Sequence, residues 1–352
     1  MTNPFIIAEI GVNHNGSIEI AKKLIFEAYI AGADAVKFQT FNSKSVVSFN
    51  TSLAEYQKIN STENNQYDLI RKLELTKDEF HDLKNYSSSL GIEFISTPFD
   101  LDSLEFLVEE LKVNRIKLSS CDLTNIELLW KAANYNIPLI ISTGMATLQD
   151  IETSLAIILH ARTENIEPKN LKDCLLKIAN YDSIKDCIRD VTILHCTTSY
   201  PCPIESVNLN AMLTIKEKFR LKVGYSDHSI GKEVCLAATS LGASILEKHF
   251  TLSREMKGPD HKASMEPQEF ALMVNSIRKT YLALGNFEKE ITDAEKINCE
   301  IAKRSIYARN NLKKGDVFKK DDLIALRPED IKAVPAKRFF DLIGQTTKKD
   351  IL

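Results

Sequence analysis

Chemistry-bearing side chains recur in this sequence at one kind of place, the end of a short β-branched run. Phe5–Asn13 carries Glu9 and Asn13, and 35–41 carries Lys37 and Gln39. Thr97 closes a third run. Lys117 and Ser120 lie in a fourth, with Asp122 just after it, and Ser142 and Thr143 lie near the end of a fifth. Thr197, Thr198 and Tyr200 follow the sixth, Ser226, Asp227 and His228 end the seventh, and Glu247 and His249 the eighth. Strand period two puts Lys37 with Gln39, and Glu247 with His249, on one face. Buried Lys and Glu are costly unless paired, so this repetition reads as a functional cavity rather than as packing. Two inward ammonium groups, Lys37 and Lys117, suit an anionic ligand such as a phosphate, helped by Ser142 and Ser226. Structural ion pairs with Glu9 and Asp122, or a Schiff-base lysine of an aldolase, are the competing uses. His228 and His249 end consecutive strands and can converge on a divalent cation, with water and substrate oxygens completing an octahedron. A zinc site would more often show three protein ligands. Asp260, in the loop after the eighth run, is a candidate sugar-hydroxyl contact. His14 either lines the cavity or shapes the first turn, and His195 reads as a packed core residue. His81 and His160 read as surface helix residues. No Cys–His–Asp constellation argues for a thiolate nucleophile.

The elements that must position these groups alternate. Segments with helical periodicity lie between the runs, at 17–31, 76–90, 101–111, 125–135, 148–161, 230–241 and 267–284. Asp100 is a capping residue before 101–111. Eight strands alternating with helices over about 280 residues predict a (β/α)8 barrel, whose active site lies at the C-terminal ends of the strands. A doubly wound sheet is the rival, but no G-x-G-x-x-G follows the first strand. Residues 42–75 are a long polar connection, expected to be an active-site lid or a mobile excursion. Residues 162–190 read as a peripheral insertion.

Composition bounds the rest. The 352 residues are 44% hydrophobic and 26% charged, with a formal net charge of −3. Nothing in that balance favours nucleic acid or an anionic membrane as a partner. No run is long enough to span a bilayer, and the N-terminus does not read as a signal peptide. Seven scattered cysteines without a CxxC pair read as reduced thiols in a cytoplasmic protein. The alternation stops after residue 285. The expected organisation is a barrel over 1–285, a linker over 286–300 and a small, mostly β module over 301–352. That module holds thirteen Lys/Arg against seven Asp/Glu. It is marginal for independent folding, so docking on the barrel or on a second chain is expected.

Several stretches together resemble one family. They are Ala8–Gly16 (AEIGVNHNG), Val36–Thr40 (VKFQT), Ser96–Phe99 (STPF), Ile141–Met145 (ISTGM), Tyr225–His228 (YSDH), Glu247–Thr251 (EKHFT) and Gly258–His261 (GPDH). The sequence is similar to the bacterial sialic acid synthases, which include N-acetylneuraminate, legionaminate and pseudaminate synthases. The resemblance runs through nearly the whole chain in order. It implies condensation of phosphoenolpyruvate with an N-acetylated hexose to a nine-carbon 2-keto sugar acid and phosphate. The hexose would be N-acetylmannosamine or a 2,4-diacetamido-trideoxyhexose.

It also implies a C-terminal antifreeze-like (SAF) domain, a domain-swapped homodimer, and a divalent metal on His228 and His249, Mn2+ first and Mg2+ or Co2+ next. Phosphoenolpyruvate would be held by Lys37, Thr97, Lys117, Ser120, Ser142, Tyr200 and Ser226. The sugar would meet Gln39, Asp260 and Arg327, while Glu9, Asp122 and Glu247 would be the acidic groups of catalysis. Many members carry Glu at the position of Asp122. The alternatives are a Schiff-base aldolase, another phosphoenolpyruvate-dependent sugar acid synthase and, remotely, a non-catalytic sugar-binding protein.

Overall fold

The computed structural model describes residues 3–48, 51, 65–164, 166–329 and 333–352. The middle of the 42–75 connection and residues 330–332 lie outside the described residues. Eight strands appear where the β-branched runs predict them: β1 (Phe5–Gly11), β2 (Ala35–Thr40), β3 (Glu93–Pro98), β4 (Ile116–Leu118), β5 (Leu139–Ser142), β6 (Val191–Cys196), β7 (Lys222–Asp227) and β8 (Ile245–His249). They form one parallel sheet in the order β3-β2-β1-β8-β7-β6-β5-β4, so the first and last strands pair. This is the (β/α)8 barrel that the alternation predicts.

Strand periodicity decides what fills it. Ile7, Ile95, Ile140, Leu194 and Ile245 form an apolar plug inside the barrel, with Ala35 among them. Two residues further along each strand the same inward face carries Glu9, Lys37, Thr97, Ser142, Cys196 and Glu247. Core and site are therefore successive layers of one pattern. The alternate residues, such as Ile6, Ala8, Val36 and Phe38, face outward and are buried in the main core cluster, which includes helix residues such as Leu24 and Phe80. Gly224 shows how tight the interior is. A Cβ there would lie 2.4 Å from the Ile245 carbonyl oxygen and 2.6 Å from Leu194 Cδ2.

The helices start where capping chemistry allows. The Asp100 carboxylate accepts from the Ser103 amide at 2.8 Å, as its position before Leu101 predicts. Thr76 and Glu79 form a capping box at the start of Lys77–Leu90. The helix Pro267–Leu284 matches the expected segment end to end. The 162–190 insertion contributes short helical turns, and it buries more than expected. His160, expected at the surface, is 7% exposed and bonded through Nε2 to the Ile166 carbonyl at 3.0 Å.

The chain divides into two compact units, Met1–Gly285 and Asn286–Leu352. The second contains a helix, Asp293–Ala302, and a two-stranded antiparallel sheet of β9 (Ser305–Ala308) and β10 (Leu323–Leu326). Among the described residues no helix is long and apolar enough to cross a membrane.

Candidate active site

At the C-terminal ends of the strands lies a cavity of about 640 Å³. Lys37 extends from β2 and places Nζ 2.6 Å from Glu9 Oε2 of β1 and 3.8 Å from Glu247 Oε2 of β8. It also donates to Thr97 Oγ1 at 3.1 Å. Lys117 enters from β4, with Nζ 3.7 Å from Glu247 Oε1. Gln39 donates to the other Glu9 oxygen at 3.2 Å, and Ser226 to Glu247 Oε1 at 2.9 Å. Both lysines and both glutamates are almost fully buried.

The layer holds two positive and two negative groups, and their environments separate them. Burial pushes the Glu9 carboxyl up to about 7, against the pull of Lys37. Burial also opposes charge on Glu247, but Lys117 and Lys37 outweigh it and hold that carboxyl down at about 2. Burial disfavours the Lys37 ammonium too, yet Glu247 and Glu9 keep its pKa above the ordinary value. Lys117 is lowered, by burial first and by Lys37 as a like charge. Two carboxyls pushed apart in this way suit separate duties, one exchanging a proton near neutrality and one remaining an anion.

Above this layer His228 and His249 converge, with ring centroids 5.5 Å apart, and the Tyr200 ring lies 4.3 Å from His228. Burial is the first cause that lowers both imidazoles, and His228 adds to it at His249. Both are therefore neutral near pH 7. His228 Nδ1 lies 2.7 Å from the Thr197 carbonyl oxygen. Donation to that oxygen assigns the proton to Nδ1 and leaves Nε2 with a bare lone pair. His249 Nδ1 is buried without a hydrogen-bond partner. Two neutral imidazoles in a polar cavity fit a divalent cation whose other positions go to water and substrate. Among the described residues no group of three His, Cys, Asp or Glu converges on one point.

On the far side of the cavity, Ser120 Oγ accepts from the Gly144 amide at 2.9 Å and lies 3.1 Å from Cys196 Sγ. Ser142 Oγ and Thr198 Oγ1 are buried and have no hydrogen-bond partner. A Cβ on Gly144 would lie 2.1 Å from Thr198 Oγ1 and 2.9 Å from Ser120 Oγ, so glycine keeps this hydroxyl-lined recess open. Near the β8 end, Asp260 faces the cavity, and burial raises its carboxyl to about 6.

Of the residues proposed from sequence, Glu9, Lys37, Gln39, Thr97, Lys117 and Ser120 all line this cavity. So do Ser142, Tyr200, Ser226, His228, Glu247, His249 and Asp260. Asp122 does not line it. Its carboxylate accepts from Ser119 Oγ at 2.6 Å and from Asn125 Nδ2 at 3.3 Å, which makes it a turn former after β4. Arg327 belongs to the second compact unit. His14 shapes the first turn, with Nδ1 accepting from the Gly16 amide at 3.0 Å.

The sequence reading missed an apolar wall. Phe41, Val46, Leu69, Ile70, Leu73 and Phe99 line the same cavity as the charged floor. Three of them come from the helix Gln66–Arg71 and the turn after it. The signal was the spacing of Leu69, Ile70 and Leu73 within a polar connection.

Comparison with known proteins agrees with this geometry. The NeuB family model matches residues 24–289. An N,N'-diacetyllegionaminic acid synthase of Legionella pneumophila is 42% identical over 328 residues, 92% of this chain and 85% of the relative. A protein of the same name from Campylobacter jejuni is 39% identical over 353 residues, 99% of this chain and 97% of the relative. A crystal structure of N-acetylneuraminic acid (sialic acid) synthetase from Leptospira borgpetersenii, in complex with citrate, aligns with TM-score 0.68 at 34% identity. That alignment covers 85% of this chain and 91% of the other.

Proposed function

Because this chain belongs to the NeuB family, we propose that it condenses phosphoenolpyruvate with an N-acetylated hexose, giving a nine-carbon 2-keto sugar acid and phosphate. It is an enzyme of the sialic acid synthase type. The observation that carries the reading is the layering of one cavity, with Lys37, Lys117, Glu9 and Glu247 on the floor and His228 and His249 at the rim.

In this reading Lys37 and Lys117, with Thr97, Ser120, Ser142 and Ser226, bind the carboxylate and phosphate of phosphoenolpyruvate by charge-assisted hydrogen bonds. Tyr200, which lies against His228 and His249, closes the same cavity from the rim. A divalent cation on His228 and His249, Mn2+ first and Mg2+ or Co2+ next, would supply Lewis-acid polarisation of the sugar aldehyde. The C3 carbon of phosphoenolpyruvate forms a bond to the aldehyde carbon, whose oxygen takes up a proton. Positive charge develops at C2, and water adds there. Glu9 accepts the proton that the water loses, and Glu247 stays ionised and holds the two ammonium groups in place. The C2–O bond to phosphate then breaks as the C2 hydroxyl gives its proton to the departing phosphate, leaving the ketone. Lys37 and Lys117 stabilise the departing phosphate.

The apolar wall supports an acceptor without a second phosphate. In this reading the aldehyde end meets phosphoenolpyruvate at the floor, and the far carbons of the sugar meet Leu69, Ile70 and Leu73. A 2,4-diacetamido-trideoxyhexose suits that wall better than N-acetylmannosamine does, and the names of the two curated relatives point the same way. Contact of Arg327 with the sugar, the SAF assignment and a domain-swapped homodimer rest on the family resemblance.

A phosphate-release assay with phosphoenolpyruvate, Mn2+ and a panel of 2-acetamido and 2,4-diacetamido hexoses tests the reading. Release with a diacetamido-trideoxyhexose is expected, with oxygen-18 from the bridging C–O–P position recovered in phosphate. Recovery of that label in the sugar product would overturn the route. The lowered pKa of Lys117 favours one rival, a Schiff-base aldolase. Borohydride trapping of pyruvate on this lysine would replace the proposal.

A further inference from the structure

A second buried ion pair lies on the outer face of the barrel, directly behind the two histidines. Asp227 and Lys248 are register partners on β7 and β8. Their strand neighbours Ser226, His228, Glu247 and His249 line the cavity, so the two residues between them point the other way. Lys248 Nζ lies 2.7 Å from Asp227 Oδ2 and donates to the Ser229 carbonyl at 2.5 Å. Asp227 Oδ1 accepts from the Ser229 amide at 2.9 Å and from its hydroxyl at 2.7 Å. Cys235 Sγ, on the helix Glu233–Ser240, donates to Asp227 Oδ2 at 3.2 Å. Both charged side chains are essentially inaccessible.

The connectivity matters more than the charge. Lys248 immediately precedes His249, and it grips the residues on both sides of His228. Neither imidazole can slide along its strand relative to the other without breaking a buried ion pair or the bond to Ser229. The His228 ring has a bond of its own to Thr197, whereas His249 Nδ1 has none, so the placement of His249 depends on its backbone. Apolar residues of similar volume would fill such a position without loss of stability. They would lack the directional bonds that fix one strand end against the next.

We propose that Asp227 and Lys248 are positioning residues that set the spacing of His228 and His249 for a divalent cation. The inference rests on the reading in which those histidines hold the metal. It is tested by titrating Mn2+ into the full-length enzyme, following the electron paramagnetic resonance signal of free Mn2+. Phosphoenolpyruvate binding is measured separately in metal-free buffer.

In the double variant Asp227→Asn/Lys248→Met, the asparagine keeps an oxygen facing Ser229 while both charges are gone. Mn2+ affinity is expected to fall by about 10- to 100-fold, the range for groups that orient metal ligands. Phosphoenolpyruvate affinity is expected to stay within about twofold, since the floor is untouched. Ser229→Ala, which trims one bond, is expected to weaken Mn2+ by a smaller factor, and it decides the matter if the double variant does not fold. Unchanged Mn2+ affinity in a folded variant overturns the proposal. So does an equal weakening of Mn2+ and phosphoenolpyruvate, which would mean general loosening. If the wild-type enzyme binds phosphoenolpyruvate but no Mn2+, the metal reading itself falls, and this inference falls with it.

Discussion

Two buried charge clusters meet at strand β8, one on each face of the barrel wall, with Glu247 in the inner cluster and Lys248 in the outer. Outside, Asp227 and Lys248 share one ion pair, and every carboxylate oxygen has a partner. Inside, Lys37 pairs with Glu9 and Glu247, and Lys117 with Glu247, at 2.6 to 3.8 Å, with unpartnered Ser142, Thr198 and His249 atoms in the same cavity. Both clusters are buried, and burying charge is costly. The outer one is closed and builds structure. The inner one is open, with Ser142 Oγ, Thr198 Oγ1 and His249 Nδ1 left without hydrogen-bond partners where these residues line the cavity. Incomplete satisfaction of a buried polar network, when it faces a cavity, marks the place where a ligand completes it.

The sharpest way to break this contrast is to remove one lysine from each cluster. Lys117→Met takes an ammonium from the open side. Phosphate release should fall by about 10³-fold or more, as for removal of a preorganised charge partner. The melting temperature should hold or rise, because Lys37 still pairs with Glu247 and a like-charge contact is gone. Lys248→Met takes one from the closed side and strands Asp227. It should destabilise by about 3–5 kcal/mol, the usual cost of a buried charge left alone. Steady-state kinetics and thermal denaturation of both variants decide the matter. Equal loss of stability in the two would erase the distinction between open and closed clusters.

Much of this arrangement is legible in sequence because strand period two is strict. Ile7 to Glu9, Ile140 to Ser142 and Ile245 to Glu247 each step from plug to site on one inward face, so eight strand ends place the floor without a structure. The Ser-x-x-Asp spacing of Ser119 and Asp122 also signals a local turn. That signal competes with a catalytic reading of Asp122, and in the structure the turn holds its carboxylate. His160 bonds to the carbonyl of Ile166, from a segment read as peripheral, and no local periodicity reports that contact. The apolar wall was hidden for a similar reason. Leu69 lies in one short helix and Leu73 in the turn after it, inside a polar connection, and only the fold brings both to the cavity. The Asp227–Lys248 pair needed the β7–β8 register, which period alone does not supply.

A smaller effect separates the first turn from the site it flanks. His14 is buried against Phe38, and burial lowers its pKa to about 4 from an ordinary 6.5. Between those values the unfolded chain takes up a proton that the folded chain refuses. His14 therefore contributes stability that is fully present above pH 6.5 and is lost as pH falls toward 4. The loss is about 3 kcal/mol, at 1.36 kcal/mol per unit. His14→Asn keeps an acceptor for the Gly16 amide and removes the titration. Denaturant melts from pH 7 to 4 should show a shallower decline for this variant. Identical slopes would place the acid sensitivity elsewhere.

The smallest expected effect tests the wall against the floor. Leu73 is 7% exposed and lines the cavity beside Ile70, at the end where the far carbons of an acceptor would sit. A methyl group against such a surface is worth about 1–3 kcal/mol relative to a mismatched neighbour. Leu73→Ser should therefore narrow the preference for a trideoxy acceptor over its hydroxylated counterpart by about tenfold in kcat/KM. The KM for phosphoenolpyruvate should not move, because the substitution leaves Lys37, Lys117 and their ion-pair partners Glu9 and Glu247 unchanged. A shift in phosphoenolpyruvate KM with no change in acceptor preference would mean that the wall shapes the floor instead of choosing the sugar. It would also remove the structural reason for favouring a deoxygenated acceptor.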